Sequence, residues 1–222
     1  MAGQGLIQRG YAVTVSHPGE GEGPYRVSYA QRSLQNGDRQ GGNGEAKDFL
    51  ASVLFRDEGV SVTWEAPPVG PEVSREAFEQ DARDRVSLLR DWMTRLRALV
   101  TTVEQYATEL GWATRRIDKK MEDSQIGKHE APALLLQEGA HRVLLEPVGR
   151  SAPGVEGVVD LYLMPAYDDI ASLYYYDGRW NLHYIFPGMT GVANTREAPA
   201  KPLAKESLQE VLEQMKKGTW LP

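Results

Sequence analysis

The sequence predicts an α+β protein in which a mainly antiparallel sheet, built as a meander, packs against one long helix. Three observations predict it: a long amphipathic stretch from Arg75 to Leu110, a series of short alternating segments after it, and an Asp-Gly turn between two apolar runs. A short C-terminal helix and a small N-terminal β part complete the prediction. This order of elements is typical of the α+β class.

The predicted long helix has a regular apolar seam. Its apolar residues follow one another in alternating steps of four and three, which is the 3.5-residue period of a coiled-coil seam. Pro71 and Ser74 favour a start just before Arg75, and Gly111 favours an end after Leu110. At 1.5 Å per residue the helix would be roughly 54 Å long. The seam consists of Ala82, Val86, Leu89, Met93, Leu96, Val100, Val103, Ala107 and Leu110.

A further apolar column widens this seam into a stripe. Trp92, Leu99 and Tyr106 each precede a seam residue, so the stripe is wide enough to face two helices or a sheet. One interpretation is a coiled-coil-like surface for self-association or for a protein partner, with these three residues in contact. The other is that the stripe covers the protein's own sheet. Three acid–base pairs at i,i+4 spacing are expected on the solvent face: Glu79–Arg83, Asp81–Arg85 and Asp91–Arg95.

Composition restricts the class of protein. The chain has 222 residues, 41% of them hydrophobic and 25% charged, as in ordinary globular proteins. A net charge of −6 disfavours general nucleic-acid binding, and the lack of cysteine excludes disulfides and thiolate chemistry. The first residues lack the apolar core of a signal peptide, and no window approaches the 18 apolar residues of a membrane span. We therefore expect a cytoplasmic protein with no membrane contact.

The chain is expected to divide near residue 70. Residues 1–70 would form the N-terminal β part, and residues 71–222 would form the long helix, the meander and the C-terminal helix. A flexible glycine-rich loop is expected at about 31–46, because that stretch has almost no apolar residue. The expected N-terminal strands are Tyr11–Ser16, Tyr25–Ala30, Phe49–Phe55 and Val60–Glu65.

After the long helix, the sequence predicts strands joined by short turns. Trp112–Asp118 is ambiguous and is interpreted as a strand, and the polar residues 119–130 are interpreted as a connection. A second helix is predicted at Lys205–Lys217, with Gly218 ending it. The predicted strands of the meander are Ala133–Gln137, Arg142–Val148, Gly157–Met164, Ser172–Tyr176 and Arg179–Phe186.

The Asp177-Gly178 turn fixes the register of the last hairpin and therefore its faces. It places Tyr175 opposite Trp180 and Leu173 opposite Leu182. The expected core face consists of Leu173, Tyr175, Trp180, Leu182, Tyr184 and Phe186, and the other face of Tyr174, Tyr176, Arg179, Asn181 and His183. On that other face, Tyr174, Tyr176, Arg179 and His183 are candidate partner-binding residues. The alternative is that the C-terminal helix covers the two tyrosines.

Candidate catalytic residues are few. No two histidines have a recognised metal-ligand spacing, so no metal site and no cofactor are expected. The best acid–base candidates are Asp160, Asp168, Asp169 and His183, and clustered carboxylates of this kind can hold Mg²⁺ for hydrolysis. The alternative is that these acids cap a turn or face water. The acid-x-lysine pattern of restriction-type nucleases is absent after Asp160.

These patterns favour a non-enzymatic protein–protein interaction protein, such as an adaptor or an accessory subunit of a larger assembly. The basis is the wide helix stripe, the aromatic strand face and the incomplete catalytic pattern. The alternative is a metal-dependent hydrolase or nuclease-like enzyme that uses strand and loop aspartates. No motif in the chain is specific enough to indicate a family.

Overall fold

A computed structural model describes residues 11–16, 25–31, 49–56, 59–64, 75–167 and 170–218. Ser74, Asp168, Asp169 and nearly all of the predicted glycine-rich loop lie outside these residues. The helices among these residues are α1 (Arg75–Glu109) and α2 (Lys205–Gly218), and a 3-10 turn covers Thr195–Glu197. The strands are β1 (Tyr11–Ser16), β2 (Tyr25–Gln31), β3 (Phe49–Arg56), β4 (Gly59–Trp64), β5 (Ala113–Asp123), β6 (Gly127–Glu138), β7 (His141–Gly149), β8 (Val158–Met164), β9 (Ile170–Tyr176), β10 (Arg179–Tyr184) and β11 (Ala200–Pro202).

The fold class is the predicted one: a mainly antiparallel sheet packs against one long helix. The chain divides into two compact units, one of residues 1–91 and 120–130, the other of residues 92–119 and 131–222. α1 continues without a break and contributes its first half to one unit and its second half to the other.

The first unit contains the N-terminal strands. β1 pairs with β2, β2 with β3 and β3 with β4, all antiparallel, and this confirms the predicted hairpin of β3 and β4. Its core includes Tyr29, whose ring meets the edge of Phe78 of α1 at a centroid distance of 5.0 Å. The N-terminal β part is therefore anchored on the first half of the long helix.

One predicted surface ion pair is in fact buried in the first unit. Arg85 Nε lies 2.6 Å from Asp81 Oδ2, and both side chains are 2% exposed. The Tyr29 hydroxyl donates to the same carboxylate at 2.7 Å, and Arg85 also donates to the carbonyl of Gln125. Burial raises the pKa of Tyr29, and so does the Asp81 charge. Asp81 and Arg85 belong to a closed internal network, so the expectation of a solvent-facing pair was wrong.

The second unit contains the meander. From β6 to β11 each strand pairs antiparallel with the next, in the order of the chain. The seam of α1 is buried from Ala82 to Ala107, and Leu96 and Val103 have no exposed surface. Gly157 brings sheet and helix together, because a Cβ atom there would lie 2.8 Å from Trp180 and 3.1 Å from Trp92. In this structure the stripe is used inside the chain, as the second interpretation of it predicted.

The last hairpin confirms the predicted register. Trp180 lies opposite Tyr175 and Leu182 opposite Leu173. Asp177 and Gly178 have φ values of 52° and 73°, the left-handed conformation that a two-residue turn of this type requires.

Two predictions about the connecting segments need correction. The polar residues 119–130 are not a loop: β5 continues to Asp123, and β6 begins at Gly127. The exposed, charged side chains of β5 have little apolar alternation, so periodicity could not detect this strand. The end of α1 is as expected, because Trp112 N–H donates to Ala107 O and Gly111 has φ of 88°, the geometry of a Schellman cap.

Helix α2 confirms the predicted C-terminal helix; it buries one face and lies near the end of α1. Lys205 Nζ is 3.0 Å from Glu109, and Lys216 Nζ is 2.7 Å from Glu138. The hydrogen bond from Lys205 lowers the pKa of Glu109. The buried residues of α2 are Ser207, Leu208, Val211, Leu212 and Met215.

Candidate functional site

A row of four polar side chains crosses the sheet of the second unit. Glu146 of β7 pairs with Asp160 of β8, Asp160 with Ser172 of β9, and Ser172 with His183 of β10. Directly opposed residues of an antiparallel sheet point to the same face, about 5 Å apart. We call these four residues the polar row and the face that carries them the outer face. It is opposite to the face of the buried residues Leu145, Leu161, Leu173 and Leu182.

Asp160 is the most perturbed acid of the polar row. The Tyr162 hydroxyl donates to Asp160 Oδ2 at 2.9 Å, whereas the buried Oδ1 has no hydrogen-bond partner among the described residues. Burial raises the pKa of Asp160, the Glu146 charge raises it further, and the hydroxyls of Ser172 and Tyr162 and the charge of Lys119 oppose this rise. The carboxyl group therefore holds its proton more tightly than an ordinary aspartate does.

Glu146 has a cationic partner. Lys119 Nζ lies 3.1 Å from Glu146 Oε1 and also donates to the carbonyl of Pro147 at 3.1 Å. Glu146 and Lys119 thus neutralise each other next to Asp160. Of the two acids in the polar row, Glu146 has an ion-pair partner, whereas Asp160 has none among the described residues.

His183 has hydrogen-bond partners on both ring nitrogens. Nδ1 lies 3.0 Å from the Ala198 carbonyl, which can only accept, so this nitrogen carries the proton. Nε2 then accepts from the Tyr176 hydroxyl at 3.3 Å. Burial lowers the pKa of His183, which keeps the ring neutral. These contacts fix the orientation of the His183 ring between Tyr176 of β9 and the loop residue Ala198.

A loop segment covers one end of the outer face. Ser172 Oγ lies 2.9 Å from Thr195 Oγ1, and the Tyr174 hydroxyl lies 3.4 Å from the same atom. The Asn194 side chain caps the 3-10 turn by accepting from two backbone N–H groups. Tyr174 and Tyr176 are consequently half-buried, and Arg179 at the turn remains exposed. The loop contacts Tyr174 through Thr195, and the Tyr176 hydroxyl contacts His183.

The three helix residues proposed for partner contact lie within the fold. Trp92 has no exposed surface, Leu99 is 1% exposed, and Tyr106 is half-buried. Trp92 packs beside Gly157, as described above. In this structure Trp92 and Leu99 are covered by the chain itself and offer no surface to a partner.

The acidic end of the polar row carries two tyrosines. The rings of Tyr162 and Tyr167 are 5.5 Å apart, and Tyr167 is 46% exposed. Tyr167 has φ of 58°, a conformation that bulky residues adopt rarely. We call Glu146, Asp160, Tyr162 and Tyr167 the acidic–tyrosine patch. Asp168 and Asp169 follow Tyr167 in the chain. They lie outside the described residues, so they are not included in this patch.

The described residues contain neither a metal-binding cluster nor a membrane-spanning helix. No group of three or more His, Asp or Glu side chains there is arranged to hold a metal ion. Neither described helix is apolar over a stretch long enough to cross a bilayer.

Sequence reasoning found Asp160 and His183 but missed Glu146, Ser172, Tyr162 and Thr195. Alternation alone could have placed Glu146 on the face opposite to Val143 and Leu145. Its pairing with Asp160 could not be predicted, because the register between β7 and β8 shifts between Pro147 and Gly149. Thr195 comes from a loop, whose path the local sequence does not determine.

Comparison with known proteins adds no assignment to this geometry: no family model, no curated protein and no solved structure matches the chain significantly.

Proposed function

We propose that the protein is a non-enzymatic interaction protein that binds a protein partner through the acidic–tyrosine patch. The observation that carries the proposal is the exposed ring of Tyr167, which lies against Tyr162, whose hydroxyl donates to the Asp160 carboxylate. A partner that places an Arg or Lys side chain on the Tyr167 ring would approach the negative charge of Asp160 as well.

The chemistry of the patch indicates a basic partner. Tyrosines are enriched among residues that dominate binding energy, since they bury a large area and still form hydrogen bonds. Their ring faces also attract cations. The net charge of −6 would favour the approach of a basic protein over that of an acidic one.

The test is capture of partners by the immobilised full chain, followed by identification of the captured proteins by mass. Asp160→Asn and Tyr167→Ala should each lose the partner that the wild type retains, by about 2 kcal/mol or more in a binding titration. Glu122→Gln removes an exposed acid of β5 outside the patch and should leave binding unchanged. Equal binding by all variants would contradict the proposal.

The second candidate is a hydrolase that uses Asp160 together with Asp168 and Asp169. It is favoured by the raised pKa of Asp160 beside a second carboxylate, an arrangement found at catalytic sites. Mg²⁺ or Mn²⁺ at millimolar concentration should then raise the melting temperature by binding the folded state. The Asp168→Asn, Asp169→Asn double variant should lose this increase. An unchanged melting temperature with either metal would remove the enzymatic interpretation.

A further inference from the structure

An arginine-lined cleft lies in the second unit and shares no residue with the acidic–tyrosine patch. It has a volume of about 260 Å³, and β5, β6 and β7 all contribute to its walls. Arg115 and Arg142 are both exposed. Gln137 lies directly opposite Arg142 in the β6–β7 hairpin. The residues that line the cleft are Ala113, Thr114, Arg115, Leu135, Gln137 and Arg142.

The two guanidinium groups of the cleft are not neutralised. Neither Arg115 nor Arg142 makes an ion pair or a side-chain hydrogen bond with any other residue that the structure describes. Two neighbouring acids already have other partners: Glu104 lies 2.6 Å from Arg116, and Glu138 lies 2.7 Å from Lys216. Two positive charges therefore face one concave site on a chain that is acidic overall.

From this arrangement we propose that the cleft binds a small organic phosphate. A guanidinium group presents a planar fork of N–H donors that matches two oxygens of a phosphate, and two such groups suit a dianion. Thr114 and Gln137 add a hydroxyl and an amide. Ala113 and the half-buried Leu135 supply apolar surface for the organic part of the ligand. The volume lies just below the usual range of ligand sites, which suits a ligand of a few heavy atoms around one phosphate.

This inference is independent of the proposed protein partner. The acidic–tyrosine patch would attract basic groups, whereas the cleft would attract anions. Loss of one activity without the other therefore distinguishes the two proposals.

The experiment is a calorimetric titration of the full chain with phenyl phosphate, and with inorganic phosphate and benzoate for comparison. Phenyl phosphate should bind saturably and more tightly than inorganic phosphate, because Leu135 contacts only the organic ester, and more tightly than benzoate, which carries one charge. Arg115→Ala and Arg142→Ala should each weaken phenyl phosphate binding by about tenfold or more, as expected for loss of charged hydrogen bonds. Arg142→Lys keeps the positive charge but loses the planar pair of guanidinium N–H donors, so it should weaken binding less than Arg142→Ala does.

The control is Arg83→Ala, which removes an exposed arginine of α1 that pairs with Glu79 at 3.8 Å. It changes the net charge equally and should leave phosphate binding unchanged. Circular dichroism of each variant verifies folding. The proposal is overturned if phenyl phosphate does not saturate at millimolar concentration or if Arg83→Ala weakens binding as much as the cleft variants. Binding of a single-stranded oligonucleotide at equal affinity per phosphate would overturn it as well.

Discussion

At the scale of single residues, the buried position of Asp160 lowers the stability of the folded protein when its carboxyl group is ionised. Its carboxyl group is largely withdrawn from water, and one buried oxygen lacks a donor among the described residues. Such a group costs free energy when it is ionised and unpaired.

Asp160→Asn should therefore change how stability depends on pH. Burial raises the pKa of Asp160 in the folded state above the unfolded value of about 3.9, so the folded protein binds this proton more tightly than the unfolded chain does. It follows that the free energy of unfolding of the wild type falls as pH rises from the unfolded pKa through the folded one. Asparagine does not ionise, so the free energy of unfolding of the variant does not fall for this reason.

The measurement is thermal melting of both proteins from pH 4 to pH 8. The variant should melt higher than the wild type at pH 7, and the difference should shrink towards pH 4. Glu122→Gln at an exposed position should follow the wild type throughout. A difference between Asp160→Asn and the wild type that is constant with pH would show that ionisation of Asp160 does not contribute.

At the scale of elements, the close contact at Gly157 gives a second prediction. A Cβ atom at this position would lie 2.8 Å from a ring atom of Trp180, with Trp92 of α1 and Tyr175 also within 3.3 Å. Trp92 is buried and the other two rings are half-buried, so none of them can move away freely. Gly157→Ala should therefore destabilise the protein by about 1–3 kcal/mol, as insertions into packed cores do.

Chemical denaturation of Gly157→Ala beside Gly149→Ala measures this effect. A Cβ at Gly149 would have its nearest neighbour at 3.9 Å, so the second substitution adds an alanine to a nearby strand without a clash. Equal midpoints for the two variants would mean that the rings around Gly157 have room to move.

The helix seam gives a third prediction. Leu96 has no exposed surface at the middle of α1. Leu96→Ala should lower the free energy of unfolding by about 2–4 kcal/mol, because it removes buried methyl groups and leaves a cavity. Leu88→Ala on the same helix truncates a half-exposed side chain and should cost clearly less. A shift in melting temperature of less than a degree or two for Leu96→Ala would show that the seam is not packed.

Several elements were predictable from sequence because their signals are local. The spacing of the seam predicted α1, and the Asp177-Gly178 turn predicted the register of the last hairpin. The exposed strand β5 gave no apolar alternation, and the polar row depends on pairing between strands joined by a longer connection. Likewise, the burial of Asp81 and Arg85 depends on Tyr29, which is far from them in the chain. Local spacing predicted the ion pair but not its environment.

At the scale of the whole molecule, the exposed apolar surface bears on self-association. Among the described residues the large hydrophobic side chains that are well exposed are Val148, Tyr167 and Met189. A stable interface between protein chains buries about 1,200–2,000 Å² in total, and in homodimers this area is largely apolar. The seam that the sequence offered for such an interface is already buried between Ala82 and Ala107.

We therefore expect the isolated protein to be a monomer. Light scattering at two concentrations that differ tenfold should give the mass of one chain, 24.7 kDa, at both. Since the stripe of α1 packs inside the chain, Leu96→Ala should change stability without changing this mass. A dimer at the higher concentration that dissociates in Leu96→Ala would instead place the seam between two chains. A dimer unaffected by that variant would indicate an interface elsewhere, and Tyr167→Ala would then test the acidic–tyrosine patch as the contact.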